Sequence, residues 1–129
     1  MVLMLNEINE QPAVLKRCME KNKDQVKKLA EEIKARNIQW IYIAARGTSD
    51  HAGIYGKYVI ESELGIPVAL AAPSVFTLYQ KPVNLKNGMV IGISQSGKAA
   101  DALEVIRSAN GQGALTVSIT NFPDSPMAL

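Results

Sequence analysis

The sequence has one cysteine, one histidine and an aromatic content of 5%. A lone Cys18 excludes an internal disulfide and any multi-cysteine metal cage. A lone His51 leaves no two-histidine metal spacing, and neither the G-x-G-x-x-G fingerprint nor the P-loop pattern occurs, so no cofactor and no metal are expected. No apolar run approaches the roughly eighteen residues needed to cross a bilayer. The opening Met1–Leu5 stretch is too short for a signal peptide and is followed by acids, so a cytoplasmic protein without membrane attachment is expected. Charge of one sign is scarce as well: 14 Lys and Arg against 12 Asp and Glu leave a formal +2. Eight basic residues lie between Lys16 and Arg36, interleaved with acids. A surface that tracks phosphates needs clustered, uncompensated charge, so this stretch reads as a solvated helix face and no nucleic-acid partner is expected. No internal repeat, heptad or low-complexity segment is apparent.

What is present is one domain's worth of polypeptide: 129 residues, 47% apolar and 20% charged, enough for a core without staples. Between residues 6 and 36 the apolar groups Leu15, Cys18/Met19, Val26, Leu29/Ala30 and Ile33 recur at helical spacing. They predict one long bent helix, or two in series breaking near Asn22, with Pro12 in the first turn after an Asn9 or Glu10 cap and Asn37 as a stop. Cys18 then reads as a small core hydrophobe.

Downstream, strands alternate with helices. The first strand is 38–45, apolar on both faces over its second half, as in a parallel sheet covered by helices. A helix capped by Ser49 or Asp50 runs to Leu64, and an edge strand spans 68–72. A short helix over 73–79 and a polar surface loop from Lys81-Pro82 to Gly88 lead to a central strand, 89–94. A helix ending near Asn110 and a fourth strand, 114–120, follow. Asn121 to Pro126 is turn chemistry, with Asp124 or Ser125 poised to cap another helix. Right-handed crossovers make this an α/β fold: a three-layer α/β/α sandwich around a parallel sheet of four strands in the flavodoxin-like order 2-1-3-4. The expected division is an N-terminal helical segment, 1–37, packed on a domain spanning 38–129.

In such a sheet ligands bind beyond the carboxyl ends of the strands, where strand order reverses, here between strands 1 and 3. Two polar turns, Gly47-Thr48-Ser49 and Ser94-Gln95-Ser96-Gly97, follow those two strands and should face one crevice. Each collects hydroxyls and free backbone N–H groups at a helix N-terminus, where the unpaired amides and the helix dipole favour an anion. A Ser-Gly turn alone often joins a strand to a helix with nothing bound; two converging on one crevice point to phosphate.

The segment Ser94-Gln95-Ser96-Gly97-Lys98-Ala99-Ala100-Asp101, with Ala45-Arg46-Gly47-Thr48-Ser49 and Glu7-Ile8-Asn9-Glu10-Gln11-Pro12, resembles the SIS (sugar isomerase) domain family. The likeness is to the first half of the isomerase part of glucosamine-6-phosphate synthases and related bacterial isomerases and deaminases of amino-sugar phosphates. The resemblance implies that Ser94, Gln95 and Ser96 bind a sugar phosphate, that Ser49 assists and that Thr48 contacts the sugar, with Gly47, Gly97 and Lys98 completing the set. It implies a ligand of the fructose 6-phosphate or glucosamine 6-phosphate class and a homodimer. It also implies that a fifth strand and a second SIS copy should follow, so that the domain is expected to be incomplete at its carboxyl end. The family's catalytic groups come from that second copy and a C-terminal tail, so these 129 residues are expected to bind substrate without turning it over, and their own catalytic residues are unknown.

Two departures stand out. Lys98 and Ala99 occupy places where the synthases carry Glu and Thr; Lys98 either offers the ligand a charge or is a solvated helix residue. Arg46 replaces a Cys, and either reaches the crevice or lies on the surface. His51 sits where an acid/base group could act, though the family's corresponding position is not catalytic, and Asp101 reads as a helix-surface residue. The alternative function is a regulatory SIS module that senses a phosphosugar without catalysis. Such regulators carry an N-terminal helix-turn-helix, which the Glu7–Pro12 segment does not resemble. A flavodoxin-like or nucleotide-binding domain shares the architecture, but would place an aromatic at the crevice, and neither turn offers one.

Overall fold

Period-two alternation assigns the residues of the first strand to opposite faces of a sheet, and the structure shows what each face meets. The computed structural model describes residues 2–81 and 83–129; Met1, and Pro82 of the expected polar loop, lie outside the described residues. The protein divides into two units, Met1–Ala35 and Arg36–Leu129.

The first unit is one helix, α1 (Val2–Ala35), rather than two. Asn22, the expected break, stays helical and donates its side-chain amide to the Cys18 carbonyl one turn back at 2.8 Å. The start of the helix differs from the one expected. Pro12 lies inside it, because the good helix formers upstream, among them Leu3, Met4, Leu5 and Glu7, extend the helix toward the N-terminus. Pro12 has no N–H to give the Ile8 carbonyl, so one rung of the ladder is missing there. Asn37, at φ 51°, stops the helix as expected. No residue of α1 is buried, and Cys18 is exposed instead of serving a core.

The second unit is built on β1 (Ile41–Ala44), β2 (Val68–Leu70), β3 (Met89–Ile93) and β4 (Leu115–Ile119). The strands are all parallel, in the order β2-β1-β3-β4. The helices are α2 (Thr48–Leu64), α3 (Pro73–Thr77) and α4 (Ala100–Gly111). The strands are shorter than the apolar runs that announced them. β2 is pinned between Pro67 and Pro73, and the β1 ladder opens where Ile41 donates to the Pro67 carbonyl at 3.0 Å. Residues 38–40 therefore lie ahead of the paired strand, with the Trp40 carbonyl accepting the Met89 N–H at 3.2 Å and Ile38 buried.

Tyr42, Ala44 and Val90 point to the cluster made with Phe76, Leu103 and Ile106 of α3 and α4. Ile43 points the other way, against Gly53 and Gly56 of α2. Helices thus cover both faces, and the α/β sandwich expected from the sequence is the one observed.

The expected polar loop after α3 is not simply polar. Leu85 is 1% exposed and plugs the core. Gln112, just past α4, holds it there: its carbonyl oxygen accepts the Leu85 N–H at 2.9 Å and its amide donates to the Val83 carbonyl at 3.0 Å. At the β2 edge of the sheet, Lys57 of α2 donates to Glu61 at 2.6 Å and to the Val68 carbonyl at 2.5 Å, while Glu61 accepts the Val68 N–H at 2.9 Å. The Lys57 hydrogen bond first, and then the Val68 N–H, hold the Glu61 carboxyl below the usual glutamate range. This three-way tie fixes the end of α2 to the start of β2.

Candidate functional site

The turn after β3 is constrained from within and from behind. Inside it, Gly97 N–H donates to both the carbonyl and the hydroxyl of Ser94, each at 3.1 Å, and Lys98 N–H donates to Ser96 Oγ at 3.3 Å. A serine hydroxyl that accepts a backbone N–H still has its own proton to give. Gly97 sits at φ 64°, a left-handed conformation, and a Cβ there would stand 2.0 Å from Ser125 Oγ, so both backbone and space demand glycine. Behind the turn, the segment after β4 is stitched to it. Asn121 N–H and Thr120 Oγ1 donate to the Gln95 carbonyl at 3.2 and 3.3 Å, and Met127 N–H donates to the Gly97 carbonyl at 3.2 Å. Ser94 is buried by this packing, while Gln95, Ser96 and Lys98 stay exposed. Among the described residues the N–H groups of Gln95 and Ser96 have no protein acceptor. They sit just before α4, whose first-turn amides lack intrahelical acceptors.

The turn after β1 is loose by comparison. Gly47 occupies the capping position of α2 at φ 59° and ψ −129°, with no side-chain cap bond. The helix therefore begins at Thr48 itself, and the cap expected from Ser49 or Asp50 does not form; Asp50 N–H instead donates to the Gly47 carbonyl at 3.1 Å. Thr48 is exposed and Ser49 half-buried, and among the described residues neither hydroxyl has a protein partner. His51 lies exposed one turn into α2.

The sheet brings the two turns together. In the parallel β1–β3 ladder Ala44 pairs with Gly92, so the two strands leave the sheet side by side at their carboxyl ends. Arg46 then spans the gap: its guanidinium meets the Asp101 carboxylate, in the first turn of α4, at 2.5 Å. Arg46, expected either to reach the crevice or to lie on the surface, is exposed and ties the β1 turn to α4, and Asp101, expected on the helix surface, is its partner there. All eight expected contact residues, Gly47 to Ser49 and Ser94 to Lys98, thus lie on these two adjoining turns, with Ser94 turned inward.

One group at the site escaped the sequence reading. Ser125, expected with Asp124 as one of two alternative helix caps, instead packs its side chain against Gly97. Its Oγ is the one buried side-chain oxygen or nitrogen without a partner among the described residues. The only sequence signal was a serine in a turn. Among the described residues no three His, Cys, Asp or Glu side chains are grouped to hold a metal. A separate groove of about 560 Å³ lies between α3 and α4, lined by Phe76, Gln80, Lys81, Leu103 and Arg107 among others, and contains no residue of either turn. The unpaired amides and unpartnered hydroxyls that suit an anion are at the turns.

Comparison with known proteins places this geometry. The SIS domain model matches residues 34–129. The protein is 40% identical to glutamine–fructose-6-phosphate aminotransferase (isomerizing) of Clostridium acetobutylicum, across 97% of its own length and 21% of that relative's. Among solved structures it resembles a Silicibacter pomeroyi protein assigned as a phosphosugar isomerase, with TM-score 0.90 and 36% identity over 95% of its own length and 38% of the other's. It also resembles the C-terminal domain of glucosamine-fructose-6-phosphate aminotransferase from Francisella tularensis, with TM-score 0.79 and 30% identity over 97% of its own length and 36% of the other's. The sequence spans about a fifth of the length of the curated relatives it matches.

Proposed function

This protein belongs to the SIS domain family, and on that premise we propose that it binds a sugar phosphate in the crevice between the β1 and β3 turns, as the first half of an amino-sugar phosphate isomerase. The observation that supports this reading is the Ala44–Gly92 register, which sets two hydroxyl-bearing helix N-termini beside one another. The phosphate lies over the Ser94–Gly97 turn. It accepts from the N–H groups of Gln95 and Ser96 and from the Ser96 hydroxyl, with the positive end of α4 behind them and the Lys98 ammonium beside them. Ser94 shapes the turn by holding Gly97. Across the crevice Ser49 adds a donor, Thr48 faces the sugar, and Gly47 lets the backbone bend without crowding the ligand. The substrate class is fructose 6-phosphate or glucosamine 6-phosphate, as in the reaction named for the aminotransferase relatives.

Interconverting a ketose and an aldose phosphate requires a base that moves a proton between adjacent carbons. Of the carboxylates in the first turns of the two helices, Asp101 is paired with Arg46, and Asp50, exposed on α2, is not among the contact residues named above. In this reading the protein grips the substrate's anionic end, and the proton is moved by a group outside the crevice residues named here. A homodimer in the cytoplasm is part of the same proposal.

Calorimetric titration of the 129-residue protein with fructose 6-phosphate, glucosamine 6-phosphate and inorganic phosphate tests it. At least one sugar phosphate is expected to bind more tightly than phosphate, and Ser96→Ala is expected to weaken that binding without a large loss of stability. A folded protein that binds none of the three overturns the proposal.

A further inference from the structure

The ion pair that spans the crevice joins residues 55 positions apart, one just after β1 and one in the first turn of α4. It is an unusual place for a purely structural bond. The Arg46 side chain is 60% exposed and that of Asp101 31% exposed. A pair so open to water shifts a folding equilibrium by at most about fivefold. The fold therefore gains little from it. The position matters more: the guanidinium is held over the first turn of α4, immediately beyond the Ser94–Gly97 turn, where a helix end favours negative charge. The Asp101 carboxylate is the anion that occupies this ground when no other is present. Arg46 has five N–H donors, and the contact with Asp101 engages one nitrogen, Nη1.

Resting on the sugar-phosphate reading above, we infer that Arg46 is a further phosphate-binding residue, held in waiting by Asp101 and handed over when the ligand arrives. A phosphate dianion carries more charge than a carboxylate and matches the planar guanidinium fork with two parallel hydrogen bonds, so it wins the exchange. Asp101 then stands as a competing anion. It keeps the guanidinium aimed across the crevice in the free protein, and it disfavours ligands too weakly charged to displace it. Arg46 is thereby a specificity residue for the phosphorylated end, in a place where the β1 turn otherwise supplies only uncharged donors.

The two ends of one ion pair therefore have opposite effects on binding, which a structural pair would not show. In titrations of the 129-residue protein, binding of fructose 6-phosphate, and of inorganic phosphate as the minimal probe, is expected to be weakened about tenfold or more by Arg46→Ala, the worth of a charged hydrogen bond. Arg46→Lys, which keeps the charge and loses the fork, should fall between Arg46→Ala and the parent. Asp101→Asn should tighten both ligands while leaving Tm close to that of Arg46→Ala. Unchanged affinity in Arg46→Ala, or weakening in Asp101→Asn, overturns the inference while leaving the sugar-phosphate reading standing. If the parent binds neither ligand, both fall together. Should Arg46→Ala fail to fold, the direction of the Asp101→Asn change decides alone.

Discussion

The two turns that meet at the crevice are built by opposite means. The turn after β3 is tied internally through Ser94 and Ser96 and stitched from behind by residues 120–127. The turn after β1 has a bare glycine cap, open space around it and hydroxyls bound to nothing among the described residues. One turn is held in shape by its own bonds, and the other carries few such ties beyond the Arg46 ion pair. Preorganisation lowers the cost of binding where it exists. The phosphate end of a ligand should therefore be recognised rigidly by the first, and the sugar adaptively by the second.

Substitutions can break this contrast in graded steps. The largest loss is expected from Gly97→Ala, which forces both a left-handed alanine and a collision with Ser125; overpacking alone costs about 1–3 kcal/mol, and backbone strain adds to it. A fall in the denaturant midpoint, with loss of phosphate binding, checks this. Gly47→Ala has the backbone penalty without the collision, about 1–3 kcal/mol, and should destabilise less than Gly97→Ala in the same unfolding series. A Gly47→Ala loss equal to or greater than that of Gly97→Ala would erase the distinction between a stitched turn and an open one.

Serines sharpen the comparison further. Ser94→Ala removes a buried hydroxyl that holds Gly97 and should cost about 1 kcal/mol. Ser49→Ala, with no bond to lose, should leave stability within about 0.5 kcal/mol and act only on ligand affinity. The smallest effect lies away from the crevice, at the tie between α2 and β2. Glu61 has a lowered pKa in the fold, so its contribution is complete above the usual glutamate range and disappears as pH falls through the depressed value. A Tm–pH series should show a small excess of the parent over Glu61→Gln at neutral pH that closes only in acid.

These contrasts also show what could be read from the amino acids. Both turns, their strands and the order 2-1-3-4 were legible because they depend on local patterning and on the handedness of crossovers, which hold for any such sheet. The features that distinguish one turn from the other were not. Ser125 packs on Gly97, Gln112 clamps Leu85, and Arg46 meets Asp101, each through contacts between residues 27 or more positions apart. No periodicity records such pairs. Cap chemistry failed for a related reason: Ser49 and Asp50 are good caps in isolation, but the bend at Gly47 starts the helix before either can serve. The start of α1 was placed too late because Pro12 outweighed the helix formers before it, although the ladder accepts one missing rung.

The stitching of residues 120–127 onto the β3 turn also sets an order of events during synthesis. A nascent polypeptide that has emitted β3 and α4 already carries both serines and the helix end, yet the strap that shapes the turn is still inside the ribosome. On the proposed reading, a bound sugar phosphate would then reward only a fold that has progressed through β4 and the strap, and not its half-made predecessors.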